Sequence, residues 1–323
     1  MKKVLVTGGC GYLGARLSKH FAENGYGVTV FDSFDPSKYY QWTSLMEEII
    51  VGDIRDESTI SKLAEKKYDA VIHLISLDHR KSEDNPNLVS SINIMPTWNL
   101  LDKFTEKGLK KFIYFSTIHV YGKIPNEIIT EGRKLLPQNA YGLTHLLSEN
   151  ICNYFNAKTN IDCINVRLSN SYGSPVFKEN NCWWLVINDF CKTAFQENKI
   201  KLVSDGSPQR DFIHNSDICK AIEILIEAKP HGFKENVFHV ASGQTLTILE
   251  LAHTVKKVYK DKFGKEVPIF LADSCVSDSP SIFQYNERYH FSTSKIESLG
   301  FQSETELQAG IGELFDYLAR TPA

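Results

Sequence analysis

One glycine-rich turn between two apolar strands constrains this chain more than any other feature. The segment KVLVT (3–7) runs directly into TGGCGYLG, which places Gly8, Gly11 and Gly14 at a spacing of three. Gly8 permits a tight turn, Gly11 lets backbone approach a pyrophosphate, and Gly14 lets a helix pack close to a sheet. Tyr12 and Leu13 then open that helix, whose free N–H groups and positive dipole end favour phosphate. The next apolar run, VTVFD, ends in Asp32, about twenty residues on, where a carboxylate accepts hydrogen bonds from an adenosine ribose. It would repel a 2′-phosphate, no arginine follows it, and Lys38 is the only nearby cation; the expected cofactor is NAD rather than NADP. Asp53 and Ile54 close the third strand, either beside the adenine ring or as a plain strand-end turn.

The first half alternates such strands with amphipathic stretches. KVLVT, VTVFD, EIIVGD (48–53), AVIHLI (70–75), KFIYFS (111–116) and IDCINVR (161–167) read as strands, and they are near-continuously apolar, as strands buried on both faces must be. Helices are expected over 12–24, 57–66, 87–107 and 140–157. The predicted fold class is α/β, a doubly wound parallel sheet (Rossmann) with a smaller mixed α/β C-terminal lobe that holds substrate. The predicted division is 1–170 for the dinucleotide-binding domain and 171–323 for the substrate lobe, with the chain free to cross between them. Short strands near 201–203, 237–240 and 268–271 and helices over 216–228, 247–260 and 304–319 fall in the second part. At 323 residues there is ample material for both. A net charge of −3 argues against nucleic acid or an anionic membrane as partner. No apolar run reaches the ~18 residues that span a bilayer. Gly8, Gly9 and Gly11 interrupt the apolar start, against a signal peptide. The 7 cysteines show no metal-knuckle spacing, so no metal site is expected, and reduced thiols in a cytoplasmic protein are the plain reading.

Further motifs follow in order: GDIRD (52–56), VIHLIS (71–76), Asn93, FSTIHVYG (115–122), Tyr141, RLSNSYG (167–173), DGSPQRDFIH (205–214) and VASG (240–243). Together with the glycine turn, this ordered set resembles the extended short-chain dehydrogenase/reductase family, the NAD-dependent epimerase/dehydratase type that modifies nucleotide sugars. The resemblance implies that Thr117 bonds the reacting sugar oxygen and that Tyr141 is the general acid/base. It implies that Asn170 and Arg210 hold the substrate phosphates, and that Leu74, Ile75 and Ser76 lie beside the cofactor diphosphate. Asn93 joins the cofactor-binding set on the same ground. A turn residue for Asn170 and a surface ion pair of Arg210 with Asp211 are the plainer alternatives. The helices over 87–107 and 140–157 match the pair that forms a four-helix dimer interface in the family, so a homodimer is expected.

The stretch AYGLTH departs from that pattern, because the family has lysine where His145 stands. A lysine there lowers the tyrosine pKa and holds the nicotinamide ribose. His145, four residues after Tyr141 and on the same helix face, can still bond ribose but is mostly neutral near pH 7. Three readings stay open. Tyr141 works with weaker support and favours ketone reduction; or another group, His119, is recruited; or the chain binds NAD and nucleotide sugar without turnover. Dehydratases of the family carry an Asp-Glu pair directly after the Thr; Ile118 and His119 stand there, which disfavours a 4,6-dehydratase. What remains is redox at one sugar carbon, the fourth by resemblance, as epimerase, dehydrogenase or ketoreductase, feeding polysaccharide biosynthesis. Arg288 is an out-of-place candidate for gripping the diphosphate, and Trp183 and Trp184 for stacking on a base or packing in the core.

Overall fold

The computed structural model describes residues 1–228, 236–271, 274–275 and 288–321. Seven parallel strands form the central sheet, in the order Val237–Val240, Asp162–Leu168, Lys111–Thr117, Ala70–His73, Lys3–Thr7, Gly27–Asp32 and Glu48–Val51. The order reverses beside the first strand, which pairs with Gly27–Asp32 on one side and Ala70–His73 on the other. A crevice opens at the carboxyl ends of strands around such a reversal. Thr7, Asp32, His73, Thr117 and Leu168 all end strands on that edge. The expected doubly wound α/β sheet is therefore the architecture.

Helices cover both faces, which is why the strands are apolar on successive residues. Leu17 and Phe21 of Tyr12–Glu23 meet Ile218 and Ile222 of Asn215–Glu227 on one face. Ile60, Leu100, Phe104, Ile151 and Phe155 fill the other. A third cluster belongs to the smaller lobe, where Val186–Glu197, Ile248–Phe263 and Leu307–Arg320 pack through Phe190, Leu251, Val255 and Leu314.

Two features differ from expectation. The stretch 87–107 is two helices, Pro86–Asn93 and Met95–Glu106, with a break at Ile94. Pro96 explains it, since it lacks an N–H for a helix running through and suits a first turn. Val237–Val240, read as part of the smaller lobe, is the outermost strand of the large sheet, paired in parallel with Asp162–Leu168. The helix Asn215–Glu227 before it packs on the same sheet, and the buried Lys111 ammonium ties it down by donating to the carbonyls of Leu225, Ile226 and Ala228 at 2.8, 2.9 and 2.5 Å. A cation at a helix C-terminus satisfies orphan carbonyls and complements the dipole.

The long helix Ala140–Lys158 is held to the sheet by a buried ion pair. Arg167 donates to both Glu149 oxygens, at 3.0 and 2.7 Å, and Ser116 donates to the same carboxylate at 2.5 Å. Such a pair is stable only when its lone pairs are satisfied, as here. It fixes where the helix crosses the ends of the strands, and so where Tyr141 sits.

Candidate active site

The turn after the first strand is built as its glycines require. Gly8 has φ +76°, and a Cβ on Gly14 would lie 1.9 Å from the Gly8 carbonyl oxygen, so neither position tolerates a side chain. The helix Tyr12–Glu23 starts at Gly11 with no side-chain cap. Its first amides are thus free to meet an anion. Gly8, Gly11, Tyr12, Leu13 and Gly14 line a cavity of about 460 Å³ that continues over Leu74 and Ser76 to Thr117, Tyr141 and His145. Asp32 accepts from the amides of Cys10 at 2.9 Å and Phe34 at 3.0 Å, which clamps the turn and holds the carboxylate beside it. Lys38 is engaged by Glu179 and is not held toward a 2′-phosphate. A dinucleotide with an unsubstituted ribose fits this set.

Several predicted cofactor residues act from behind the cavity wall or outside it. Asp32, Ile75 and Asn93 do not line it. Asn93 is buried, accepts from the Leu77 amide at 2.8 Å and donates to Thr144 at 3.0 Å, so it ties the loop after the fourth strand to the helix Ala140–Lys158. Ile54 turns into the core with Phe31 and Leu63. Asp53 is exposed and is held by Arg55, whose hydrogen bonds keep its carboxyl below the usual range.

At the other end, the helix N-terminus brings Tyr141 over the end of the fifth strand. Burial pushes the phenol up to about 12, the Thr117 hydroxyl facing it pulls it down in part, and the Asp78 carboxylate adds to the rise. His145 is 2 % exposed. Its ring centroid lies 4.4 Å from that of Tyr141, and Nδ1 is 3.3 Å from the Tyr114 hydroxyl. Burial, helped by His119 and His73, takes His145 down to about 3. The imidazole is neutral at any ordinary pH and gives the tyrosine no cation. His119 stands at the lip, with its ring edge-on to Tyr141 at 5.6 Å and its pKa lowered first by desolvation and then by Arg210 and His79.

A second cavity of about 420 Å³ adjoins the first, sharing Ile118, His119 and Asn170 with it, and Arg210 lines this one. Arg210 does not pair with Asp211, which is buried and accepts instead from Ser169 at 2.6 Å and Ser242 at 3.0 Å. Among the described residues the Arg210 side chain donates only to the adjacent Gln209 carbonyl, at 2.7 Å. Asn170 donates to the Asp211 carbonyl at 2.8 Å, in register with the strand Gln209–His214. Trp184 lines the first cavity with its ring 5.2 Å from His79, whereas Trp183 packs toward Tyr317 and the third cluster. Arg288 is spent on Glu250 and the Thr245 carbonyl; most of the stretch before it lies outside the described residues.

Sequence reasoning missed Lys81, Asp78 and His79. Lys81 is the one lysine or arginine among the residues that line the first cavity, and among the described residues it forms no ion pair. Its short turn, Lys81–Glu83, is held against the Tyr141 helix because Glu83 accepts from the Ala140 amide at 2.8 Å. The string LDHRK after a strand was the available signal, and its direction depends on the Asp78 cap of that turn. No cluster of three metal-ligating side chains occurs among the described residues. No helix among them is long and apolar enough to cross a membrane.

A glycine turn at a strand reversal and an acidic residue ending the second strand make a dinucleotide-binding site, and Thr117 and Tyr141 line the same cavity as the turn. Residues 4–241 match the NAD dependent epimerase/dehydratase family, and the chain belongs to that family. A putative UDP-glucose 4-epimerase of Methanocaldococcus jannaschii is 25% identical over 318 residues, covering 98% of each chain. A dTDP-glucose 4,6-dehydratase of Streptomyces niveus is 24% identical, covering 98% of this chain and 92% of its own. The structure of a UDP-glucuronic acid 4-epimerase from Bacillus cereus, in complex with UDP-glucuronic acid and NAD, superposes with a TM-score of 0.81 at 24% identity, covering 98% of this chain and 99% of that one.

Proposed function

We propose that the protein carries out NAD-dependent redox at one carbon, the fourth, of a nucleotide sugar, as a 4-epimerase or as a dehydrogenase or ketoreductase. Tyr141 is the acid/base, Thr117 bonds the reacting oxygen, and Asn170 and Arg210 hold the nucleotide phosphates from the adjoining cavity. The observation that carries this reading is that Thr117 and Tyr141 face each other in the cavity that the glycine turn also lines. When bound, NAD supplies the hydride donor and acceptor. With its phenol near 12, Tyr141 holds its proton at neutral pH and is ready to give it to a ketone oxygen as hydride reaches the carbon. Oxidation runs the same step backwards and needs the phenolate, and no cation is among the groups that shift the Tyr141 phenol. His145 offers a neutral hydrogen bond in place of a charge.

The 4,6-dehydratase reaction needs a carboxylic acid and a carboxylate beside the sugar. Asp78 is the one carboxyl among the residues that line the first cavity, and Ile118 and His119, which follow Thr117, supply no second one, so this reading sets dehydration aside. Homodimerisation through the helices Met95–Glu106 and Ala140–Lys158 belongs to the same proposal. Met95, Trp98, Leu143, Leu147 and Tyr154 are exposed on them, and Trp98 stacks on Tyr154 at 5.4 Å.

The test is Tyr141→Phe, assayed with NAD and UDP-glucose or a UDP-4-ketosugar. Loss of an acid/base group lowers turnover by about 10²–10⁴-fold. Undiminished turnover would sink the assignment. A wild-type protein that binds NAD and these sugars with no turnover between pH 6 and 10 would instead favour a silent binding paralogue.

A further inference from the structure

We propose that Tyr114 is a positioning residue that decides which nitrogen of His145 carries its proton, leaving Nε2–H on the cofactor side of the cavity. Tyr114 lies in the middle of the strand Lys111–Thr117, is buried, and does not line the cavity. Its hydroxyl reaches His145 Nδ1 at 3.3 Å, and its ring meets the imidazole edge-on at 5.9 Å. The imidazole therefore lies between two tyrosines, with Tyr141 on the cavity side and Tyr114 behind. The other rings near it are His73, 5.9 Å from Tyr114 and bonded through Nδ1 to Thr7 at 2.6 Å, and His119 at the lip.

A neutral imidazole has one N–H, and a hydrogen bond to one nitrogen determines where it sits. Tyr114 has one proton to donate, and a bare imidazole nitrogen is its best acceptor within reach. The opposite arrangement, with Nδ1–H donating, would turn the phenol proton to the Ser148 oxygen, the other side-chain group that acts on the Tyr114 hydroxyl and a poorer acceptor, whose own hydroxyl is committed to the Asn93 carbonyl at 2.8 Å. With Nδ1 occupied from behind, Nε2 is the nitrogen left for the cavity that His145 lines. An N–H there stabilises negative charge developing on Tyr141 and donates to a ribose hydroxyl, whereas a bare lone pair would oppose that charge. A lysine needs no such partner, because its ammonium donates in every direction. Tyr114 is thus the companion that makes histidine usable at position 145.

The inference rests on Tyr141 as acid/base, but its readout does not. In the full-length protein, long-range ¹⁵N–¹H NMR of histidine, with NAD bound, should show His145 as the Nε2–H tautomer. NAD affinity, measured by titration calorimetry, should fall about 5-fold in Tyr114→Phe, the worth of one hydrogen bond of ~1 kcal/mol. In a His145→Lys background, the same change should leave affinity within about twofold, since no tautomer remains to be set. An Nδ1–H tautomer in the wild type, or an equal loss in both backgrounds, would overturn the proposal. If Tyr114→Phe does not fold, the wild-type tautomer still decides. Failure of the Tyr141 assignment shows separately, as turnover that survives Tyr141→Phe.

Discussion

Replacing His145 with lysine tests the electrostatics of the site most directly. The ring centroids of Tyr141 and His145 are 4.4 Å apart, so an ammonium carried by the same backbone position would sit about 5 Å from the phenol. At an effective dielectric constant of ~20, two unit charges at that distance interact by ~3 kcal/mol. Tyr141 is only half-buried, so solvent screening trims this to roughly 1.5 kcal/mol, or about one pH unit. The sign is favourable to the phenolate, so the phenol should fall from about 12 by about that much. For substrate oxidation, which needs the phenolate, the rising limb of kcat/KM against pH should move about one unit lower, with the rate at pH 7.5 kept or raised. The surroundings that hold the imidazole down at about 3 also resist an ammonium, so the variant without NAD should melt at a lower temperature than the wild type. The assay is the pH profile with NAD and UDP-glucose. A limb that does not move would refute the reasoning, and a variant that binds NAD and is inactive would assign His145 a proton-transfer role of its own.

Other outcomes follow from buried histidines and from the exposed helix pair. His73 and His145 are held near 3 and His239 near 4, all first by burial, against an unfolded value of ~6.5. The unfolded chain binds more protons in this window, so stability is full above pH ~6.5 and is lost as pH falls toward the folded values, by at most ~1.4 kcal/mol per pH unit per histidine. Thermal melts by circular dichroism should decline continuously from pH 7 to pH 5; a flat Tm over that range would contradict the burial. Trp98→Glu with Leu147→Glu should convert a dimer into a monomer in size-exclusion chromatography with light scattering, at little cost to the monomer fold because both side chains are 42% and 41% exposed. A wild-type protein that is already monomeric would remove the dimer from the proposal.

The part of the fold that local chemistry dictates was readable in the sequence. The glycine turn, the run of two-face-buried strands and Asp32 each carry their constraint in neighbouring residues, and each stands where its spacing indicated. The break at Ile94 was equally available, since Pro96 marks it. What was not readable depends on distant partners. Val237–Val240 is a four-residue strand whose place is set by the open edge of Asp162–Leu168, not by anything within it. Ile54 follows a strand in the way a ring-binding residue does, yet the core takes it, because the turn leaves its side chain pointing inward. The state of His145 needed its burial and the Tyr114 hydroxyl to be known, and the Lys81 side chain needed the Asp78 cap to bring it to the cavity.

The return of Val237–Val240 to the large sheet means that the polypeptide leaves the dinucleotide-binding core after Leu168 and comes back to it before finishing the smaller lobe. A protein cut after residue 170 would bare the flank of Asp162–Leu168 and lose the helix that Lys111 clasps, leaving a raw edge open to pairing with other chains.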